Sequence, residues 1–341
     1  MINSGQRISL QIVGLITSVA YQKAIYYLQI CSRLPHVYSQ PVARGLPEFE
    51  WNEYLVKQRR KFGGRLWALR RPVAVYCDKK FIGGDRELLK HIDSKFLYSA
   101  IVPDSYFQDE CVLDFERYVL STKRIFVYFI VRIKHGMKGA LIFKLYSDLL
   151  PDTCEIFKNF CASKAYKSTR FHRVCKRGWI QGGAAEDGRE VCEQCKSFPD
   201  ESFCINHNRR GVLSMVNDGR HTNCKQFFVT LNPSCWMDYR YVAFGQLVAG
   251  ADLLAAIESV DTYYEKPLSA VRIADCGVLH PRHVLTPRQT AEAIIDLTLQ
   301  AVVSRTDSVT FERGLEGNVT DPRDVDSRLS ATLYNQGMYS I

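Results

Sequence analysis

The hydrophobic pattern changes character twice along the chain. In the first hundred residues, strand-like and helix-like rhythms alternate. Residues 8–14 (ISLQIVG) form an apolar run of strand length, and residues 18–34 continue with a helical period. A second helix opens at Pro47 and runs through EFEWNEYLVKQRRKF, with proline where its missing N–H costs little. Pro72-Val-Ala-Val-Tyr-Cys is β-branched and aromatic, Asp78-Lys79-Lys80 is a turn, and Phe81-Ile82 is a second strand. Gly83-Gly84 then leads into the helix DRELLKHIDSKF. The reading is a βα opening, a helix, a hairpin and a last helix, an α/β domain over residues 1–100. Residues 101–124 follow as a helical connector.

From 125 to 280 short strands dominate: IFVYFIVRI, GALIFKLY, FHRV, WIQGG, GVLSMV, QFFVTL, YVAFGQLV and VRIADCGVL. Two helices interrupt them, PDTCEIFKNFCASK and GADLLAAIESV. Many short strands with two isolated helices predict a mainly-β barrel whose ends the helices close. Residues 281–341 begin with a capping pattern at Thr286-Pro287-Arg288-Gln289, and Ile294, Leu297 and Ala301 share a helical face. Beyond Ser304 the chain is too polar to build a core, so a C-terminal helix and an extended tail are expected.

Composition narrows the class. With 46% hydrophobic, 24% charged and 12% aromatic residues the chain is that of an ordinary globular protein, which excludes a wholly disordered chain, a collagen-like fibre and a coiled coil. No run of 18 apolar residues exists, so no membrane span is expected. The apolar stretch after Arg7 is interrupted by Gln11 and continues into a helix, which argues for a buried first strand over an export signal. The formal charge of +9 lies almost wholly in the first 135 residues, densest at Lys57, Arg59, Arg60, Lys61, Arg65, Arg70 and Arg71. A solvated helix face is the preferred reading, a docking surface for an acidic protein the sharper one; no RNA-recognition motif supports nucleic acid. Twelve irregularly spaced cysteines fit a reducing, cytoplasmic compartment better than a disulfide scaffold.

Two resemblances follow from particular motifs. PVAVYCDKKFIGGDRELLKHI resembles the second half of a glutaredoxin, within a thioredoxin-like fold. That resemblance implies a cis peptide bond between Arg71 and Pro72. It also places the family's redox Cys-x-x-Cys at Thr17-Ser18-Val19-Ala20, where no cysteine stands, so no thiol–disulfide activity is expected.

FHRVCKRGWIQGG, GVLSMVNDGRHTNCKQFFVTL and WMDYRYVAFGQL, in that order, strongly resemble the cyclophilin-type peptidyl-prolyl cis-trans isomerases from about Gly139 to Leu279. The chemistry is rotation about X–Pro bonds, whose barrier is about 20 kcal/mol. At the twisted transition state amide resonance is broken and the proline nitrogen accepts a hydrogen bond, so a donor aimed there favours the transition state over both planar states. The resemblance assigns that donor to Arg173. It implies that Gln181 anchors the substrate backbone and supports Arg173, and that the backbone of Asn217 pairs with the peptide. Gln226 would lie near the groove, Phe228 beneath the proline ring, and Trp236 at one edge, where the family contacts cyclosporin. Trp179, Val216, Met237 and Tyr241 complete the expected substrate-binding set.

The sequence departs from the family where the proline is cradled. Gly178-Trp179 replaces Phe-Met, Val216 replaces Ala, Met237 replaces Leu, and Tyr241 stands where the family has His. Cys224-Lys225 replaces Gly-Ser, and Asp218 replaces a small residue. The expected outcome is proline-peptide binding with weakened catalysis and no cofactor. A second constellation, Cys192, Cys195, Cys204 and His207, has spacing compatible with tetrahedral zinc. His207 is also a histidine in metal-free members of the family, and the reading without metal is preferred. The alternative function is a non-catalytic, proline-binding subunit of a larger assembly. The resembling subgroup with an N-terminal extension implies a motile cilium, with an axonemal, radial-spoke location. Redox sensing by the cysteines is a third reading.

Overall fold

The N-terminal third folds as β1 (Leu10–Leu15), α1 (Val19–Ser32), β2 (Val42–Leu46), α2 (Glu48–Phe62), β3 (Val73–Cys77), β4 (Lys80–Gly83) and α3 (Asp85–Phe96). The computed structural model describes residues 7–32, 34–96, 103–134, 136–184 and 197–279. The four strands form one sheet in the order β2-β1-β3-β4, with β1 and β2 parallel and the other pairs antiparallel. β1 is apolar at nearly every position because it lies centrally and both its faces are buried. β2 was not expected: its sequence, VARGL, buries only Leu46, so no alternation marks it. Asp78 and Lys79 form the β3–β4 turn, both at positive φ (48° and 66°), the backbone that a two-residue hairpin requires.

One expectation fails here. The described residues contain no cis peptide bond, so Arg71–Pro72 is trans. The trans chain still meets the sheet, because the Leu15 N–H donates to the Pro72 carbonyl at 2.9 Å and the Val73 N–H turns back onto Arg71 O at 2.8 Å. Arg71 is further tied to the buried Asp85 carboxylate at 2.9 Å.

The connector forms α4 (Asp104–Thr122), which ends at Lys123 in the left-handed region, φ 52°. Phe107, Cys111, Phe115 and Val119, four residues apart, form one buried stripe. The helix lies along α1, where Gln22 donates to Asp114 at 2.8 Å and Lys23 pairs with Asp104 at 2.7 Å.

The remaining strands are β5 (Phe126–Ile133), β6 (Lys138–Leu145), β7 (Arg173–Cys175), β8 (Trp179–Gly182), β9 (Val212–Met215), β10 (Phe227–Thr230), β11 (Ala243–Ala249), β12 (Thr262–Tyr263), β13 (Lys266–Pro267) and β14 (Val271–Leu279). They are accompanied by α5 (Pro151–Ala162) and α6 (Ala251–Ser259). Eight of the strands form a curled antiparallel half-barrel in the order β14-β5-β6-β11-β9-β10-β8-β7, and β12–β13 is a separate hairpin. The chain before β7 runs beside β14, with Phe171 N–H on Val271 O at 2.9 Å and an isolated bridge between Arg170 and Arg272.

β5 shows why its sequence is almost uninterruptedly apolar. Val127, Phe129, Val131 and Ile133 face the core inside the curled sheet, which also takes Phe157 from α5 and Leu253, Leu254 and Ile257 from α6. Phe126 and Tyr128 face the other way. With Ala140, Ile142, Val248, Ala249 and Leu279 they join a second core formed with α1, α3 and α4. The N-terminal unit therefore shares its core with the outer face of the sheet. A second link is polar: Glu48, at the start of α2, accepts the backbone N–H groups of Gly250 and Ala251 at 2.8 and 2.9 Å. It thereby caps α6, whose own N-terminus has no side-chain cap. No helix among the described residues is long and apolar enough to cross a membrane. The expected C-terminal helix and tail, 281–341, lie outside the described residues.

Candidate functional site

The pairing register builds the site. Arg173 on β7 stands opposite Gln181 on β8, Gln181 opposite Phe228 on β10, and Phe228 opposite Ser214 on β9. Directly opposed residues of an antiparallel ladder project from the same face. Their neighbours Val174, Ile180, Val229 and Leu213 belong to the inner core, so the four site residues form a row on the outward face. Trp179, opposite Cys175 and Thr230, stands one step along that face.

Phe228 is the buried floor of the row. Its ring stacks on His207 at 5.7 Å and 19° and meets Tyr241 edge-on at 5.4 Å and 86°. His207 is fully buried with both ring nitrogens used. Nδ1 lies 2.9 Å from Asp238 Oδ1 and Nε2 lies 2.7 Å from Ser214 Oγ. Burial pushes the imidazole pKa below its ordinary value, and Asp238 opposes that only in part. A neutral ring fits this network, with Nδ1–H donating to Asp238 and Nε2 accepting from the Ser214 hydroxyl. As placed, His207 offers no nitrogen to the zinc that the cysteine spacing allowed, since Asp238 and Ser214 engage both. Cys204 is exposed, Cys192 and Cys195 lie outside the described residues, and the described residues contain no cluster of three metal-ligating side chains.

The open end of the row is aromatic and cationic. The Arg173 guanidinium lies 5.0 Å from the Trp179 ring centroid, and Trp179 meets Trp236 edge-on at 5.8 Å. Trp236 is 54% exposed and Met237 behind it is buried. Gln181 stands opposite Arg173 in the ladder, and its carboxamide donates to Gln226 Oε1 at 2.8 Å rather than reaching the guanidinium. The partner of the Arg173 guanidinium is the carboxylate of Glu265, in the β12–β13 turn. A carboxylate is the stronger acceptor for a guanidinium than a neutral amide. The Gln226 carbonyl accepts the Val216 N–H at 3.0 Å, and the Asn217 side chain donates to the Arg240 carbonyl at 2.8 Å, which fixes the segment leading to Tyr241.

Glu265, Ser214 and Asp238 escaped the sequence reading. The one local signal was a charged residue in a two-residue hairpin turn, where Asn and Gly are favoured. The buried thiols offer no redox centre: burial pushes Cys111 and Cys154 up to about 12 and Cys161 well above its ordinary value, so all three stay protonated. Ser18 sits where a thioredoxin-like dithiol would open α1, and its hydroxyl accepts the Ala20 N–H at 3.2 Å.

Comparison with known proteins points to one family. Residues 129–278 match the family model described as cyclophilin type peptidyl-prolyl cis-trans isomerase/CLD. A Mus musculus protein named "Probable inactive peptidyl-prolyl cis-trans isomerase-like 6" is 34% identical over 290 residues, which cover 80% of this chain and 92% of that protein. The Homo sapiens protein of the same name is 33% identical over 287 residues, 79% of this chain and 91% of its own length. A peptidyl-prolyl cis-trans isomerase of Encephalitozoon cuniculi is 36% identical over 163 residues, 45% of this chain and 94% of that protein. The first two likenesses extend well beyond the curled sheet into the N-terminal unit. Together with a β-sheet row that sets an arginine and an aromatic floor on one face, sequence likeness of this length places the chain in the cyclophilin-type peptidyl-prolyl cis-trans isomerase family.

Proposed function

We propose that this chain is a weak isomerase of X–Pro bonds that uses Arg173 as its transition-state donor. The observation that carries this is the register placing Arg173 on the same face as Phe228, with Gln181 between them. Phe228 offers an apolar floor to the proline ring, Tyr241 lines one side of it, and Trp236 stands farther along, against Trp179. Gln181, tied to Gln226, presents its carboxamide to the substrate backbone between ring and donor. As the imide twists, its nitrogen regains a lone pair, and an Arg173 N–H directed there stabilises the twisted state over both planar ones. No bond is made or broken and no cofactor is needed. The reduced rate follows from the walls: Tyr241 leans edge-on against Phe228 where the family has a smaller ring, and Gly178 supplies no side chain. The word "inactive" in the names of the two long relatives accords with such a cradle.

The test is the exchange rate of an X–Pro peptide measured by NMR with the full chain, since the N-terminal unit shares a core with the sheet. Arg173→Ala is expected to lower kcat about a hundredfold, roughly 2.7 kcal/mol, with little change in KM. An unchanged rate would refute the assignment.

A second reading, a proline-binding module without turnover, is favoured by the same Tyr241–Phe228 contact. Peptide binding without any Arg173-dependent exchange would select it. The exposure of Trp236 supports cyclosporin binding at that edge. For a ciliary or axonemal assembly the support is the resemblance alone, and for a cytoplasmic site of action it is the irregular spacing of the cysteines. We read the N-terminal unit as thioredoxin-like because its strand order, the parallel β1–β2 pair and the hairpin followed by a helix match that fold, although the cis proline and the dithiol are absent. We likewise read α5 and α6 as closing the ends of the barrel, since Phe157 and Leu254 reach its core.

A further inference from the structure

The β12–β13 hairpin turns through Tyr264 and Glu265, both at positive φ (46° and 65°). This is the backbone for which Asn-Gly is the favoured pair, so two bulky L-residues hold it at a conformational cost. The turn is fixed beside β7, because the Val174 N–H donates to the Glu265 carbonyl at 2.7 Å. The position delivers the Glu265 carboxylate onto Nε of Arg173, the residue on which the proposed reaction depends. The contact is strong enough to hold the Glu265 carboxyl below its usual range, and the Arg173 hydrogen bond is the main cause. On its other side the guanidinium lies over Trp179.

We propose that Glu265 is a built-in attenuator of Arg173: its carboxylate draws the guanidinium toward the hairpin and neutralises the charge that would otherwise face the twisted imide. The proposal rests on the isomerase reading above. Glu265 acts through Arg173 and is therefore a positioning residue. The substrate must compete with Glu265 for Arg173 at the transition state, so the penalty falls on kcat more than on KM. Arg173 and Glu265 are 45% and 38% exposed, so solvent reaches the pair and dissolved salt weakens it.

The test uses the full chain, two variants of Glu265, and Arg173→Ala. Glu265→Gln keeps the side chain's shape and the strained turn but removes the charge. Glu265→Gly removes the side chain and suits the turn. Both are expected to raise kcat about fivefold at low ionic strength, the factor that corresponds to the upper range of an exposed ion pair. Wild-type kcat should climb with salt toward the variants' values, whereas theirs should stay flat. A rise in Glu265→Gly alone would trace the effect to turn strain and overturn the proposal, as would a Glu265→Gln that is slower than wild type or equal to it. The Arg173 Nε–H resonance gives a readout independent of turnover. It should exchange slowly with water in the wild type and faster in Glu265→Gln, and equal rates would also overturn the proposal. If Arg173→Ala matches the wild-type rate, the isomerase reading fails; if Arg173→Ala is slow and Glu265→Gln gains nothing, only the attenuator fails.

Discussion

Removing the carboxylate of Glu48 should loosen both units of the protein at once. Glu48 belongs to α2 of the N-terminal unit, but its Oε2 holds two backbone donors at the start of α6. Gly250 cannot supply a cap of its own. It sits at φ 103°, and a Cβ there would collide with the Ala140 carbonyl. A hydrogen bond to a charged acceptor contributes about 1.5–3 kcal/mol net, and a lost N-cap typically costs about 1 kcal/mol. Glu48 is half-buried and water can partly replace it, so about 2 kcal/mol is the expected cost of Glu48→Ala. Glu48→Gln keeps an acceptor without the charge and should cost about half as much. For a chain of this size, with an unfolding entropy of about 2.1 cal/mol/K per residue, 2 kcal/mol lowers Tm by roughly 3 °C. Thermal unfolding followed by tryptophan fluorescence reads both units, through Trp51 on one side and Trp179 and Trp236 on the other. Hydrogen exchange should show the Gly250 and Ala251 amides losing protection in Glu48→Ala. A shift below about 1 °C, or unchanged protection at those two amides, would refute the reasoning.

Phe228→Ala should cost about 3 kcal/mol by denaturant unfolding, as expected for an aromatic ring almost wholly removed from water, and should raise KM for X–Pro peptides; an unchanged KM would exclude Phe228 from the proline site. Stability should fall as pH drops below about 6.5, because the unfolded chain takes up a proton that buried, neutral His207 refuses, and half-buried His172 acts in the same direction. The stabilisation is complete above the unfolded pKa and lost as pH falls through the lowered folded one, so His207→Gln should flatten the slope between pH 7 and 5; an identical slope would assign it elsewhere. A thiol reagent applied to the native chain should modify exposed Cys204 and Cys235 and spare Cys111, Cys154 and Cys161 until denaturant is added, as peptide mapping would show.

Much of the site was legible because it depends on short-range periodicity. The alternation in FHRV, WIQG and QFFVT sends Val174, Ile180 and Val229 inward and leaves Arg173, Gln181 and Phe228 on one face. The β3–β4 hairpin was legible for a similar reason, since a polar pair between two apolar runs marks a turn. β2 was not, because an edge strand with four exposed positions carries no alternation. His207 was noticed for its spacing from three cysteines, whereas its real partners, Asp238 and Ser214, reach it through the fold. Glu265 lies 92 residues from Arg173, and Glu48 lies 202 from Gly250; contacts of that separation leave no local pattern. The expected cis bond before Pro72 came from family likeness, and the local hydrogen bonds of this chain are met without it.

The core that runs from Leu10 to Leu279 also dictates an order of assembly. During synthesis α1 and α4 leave the ribosome well before β14. The apolar stripe of Phe115 and Val119, with Tyr27 and Leu28 opposite, then waits for the outer face of β5 and β6. That face is not complete until the last described strand pairs with β5. Such late, long-range closure makes folding slow and leaves sticky surface exposed meanwhile. A nascent chain stopped short of β14 should therefore aggregate or occupy chaperones, and the N-terminal unit should reach its native protection against proteases only after the whole sheet has emerged.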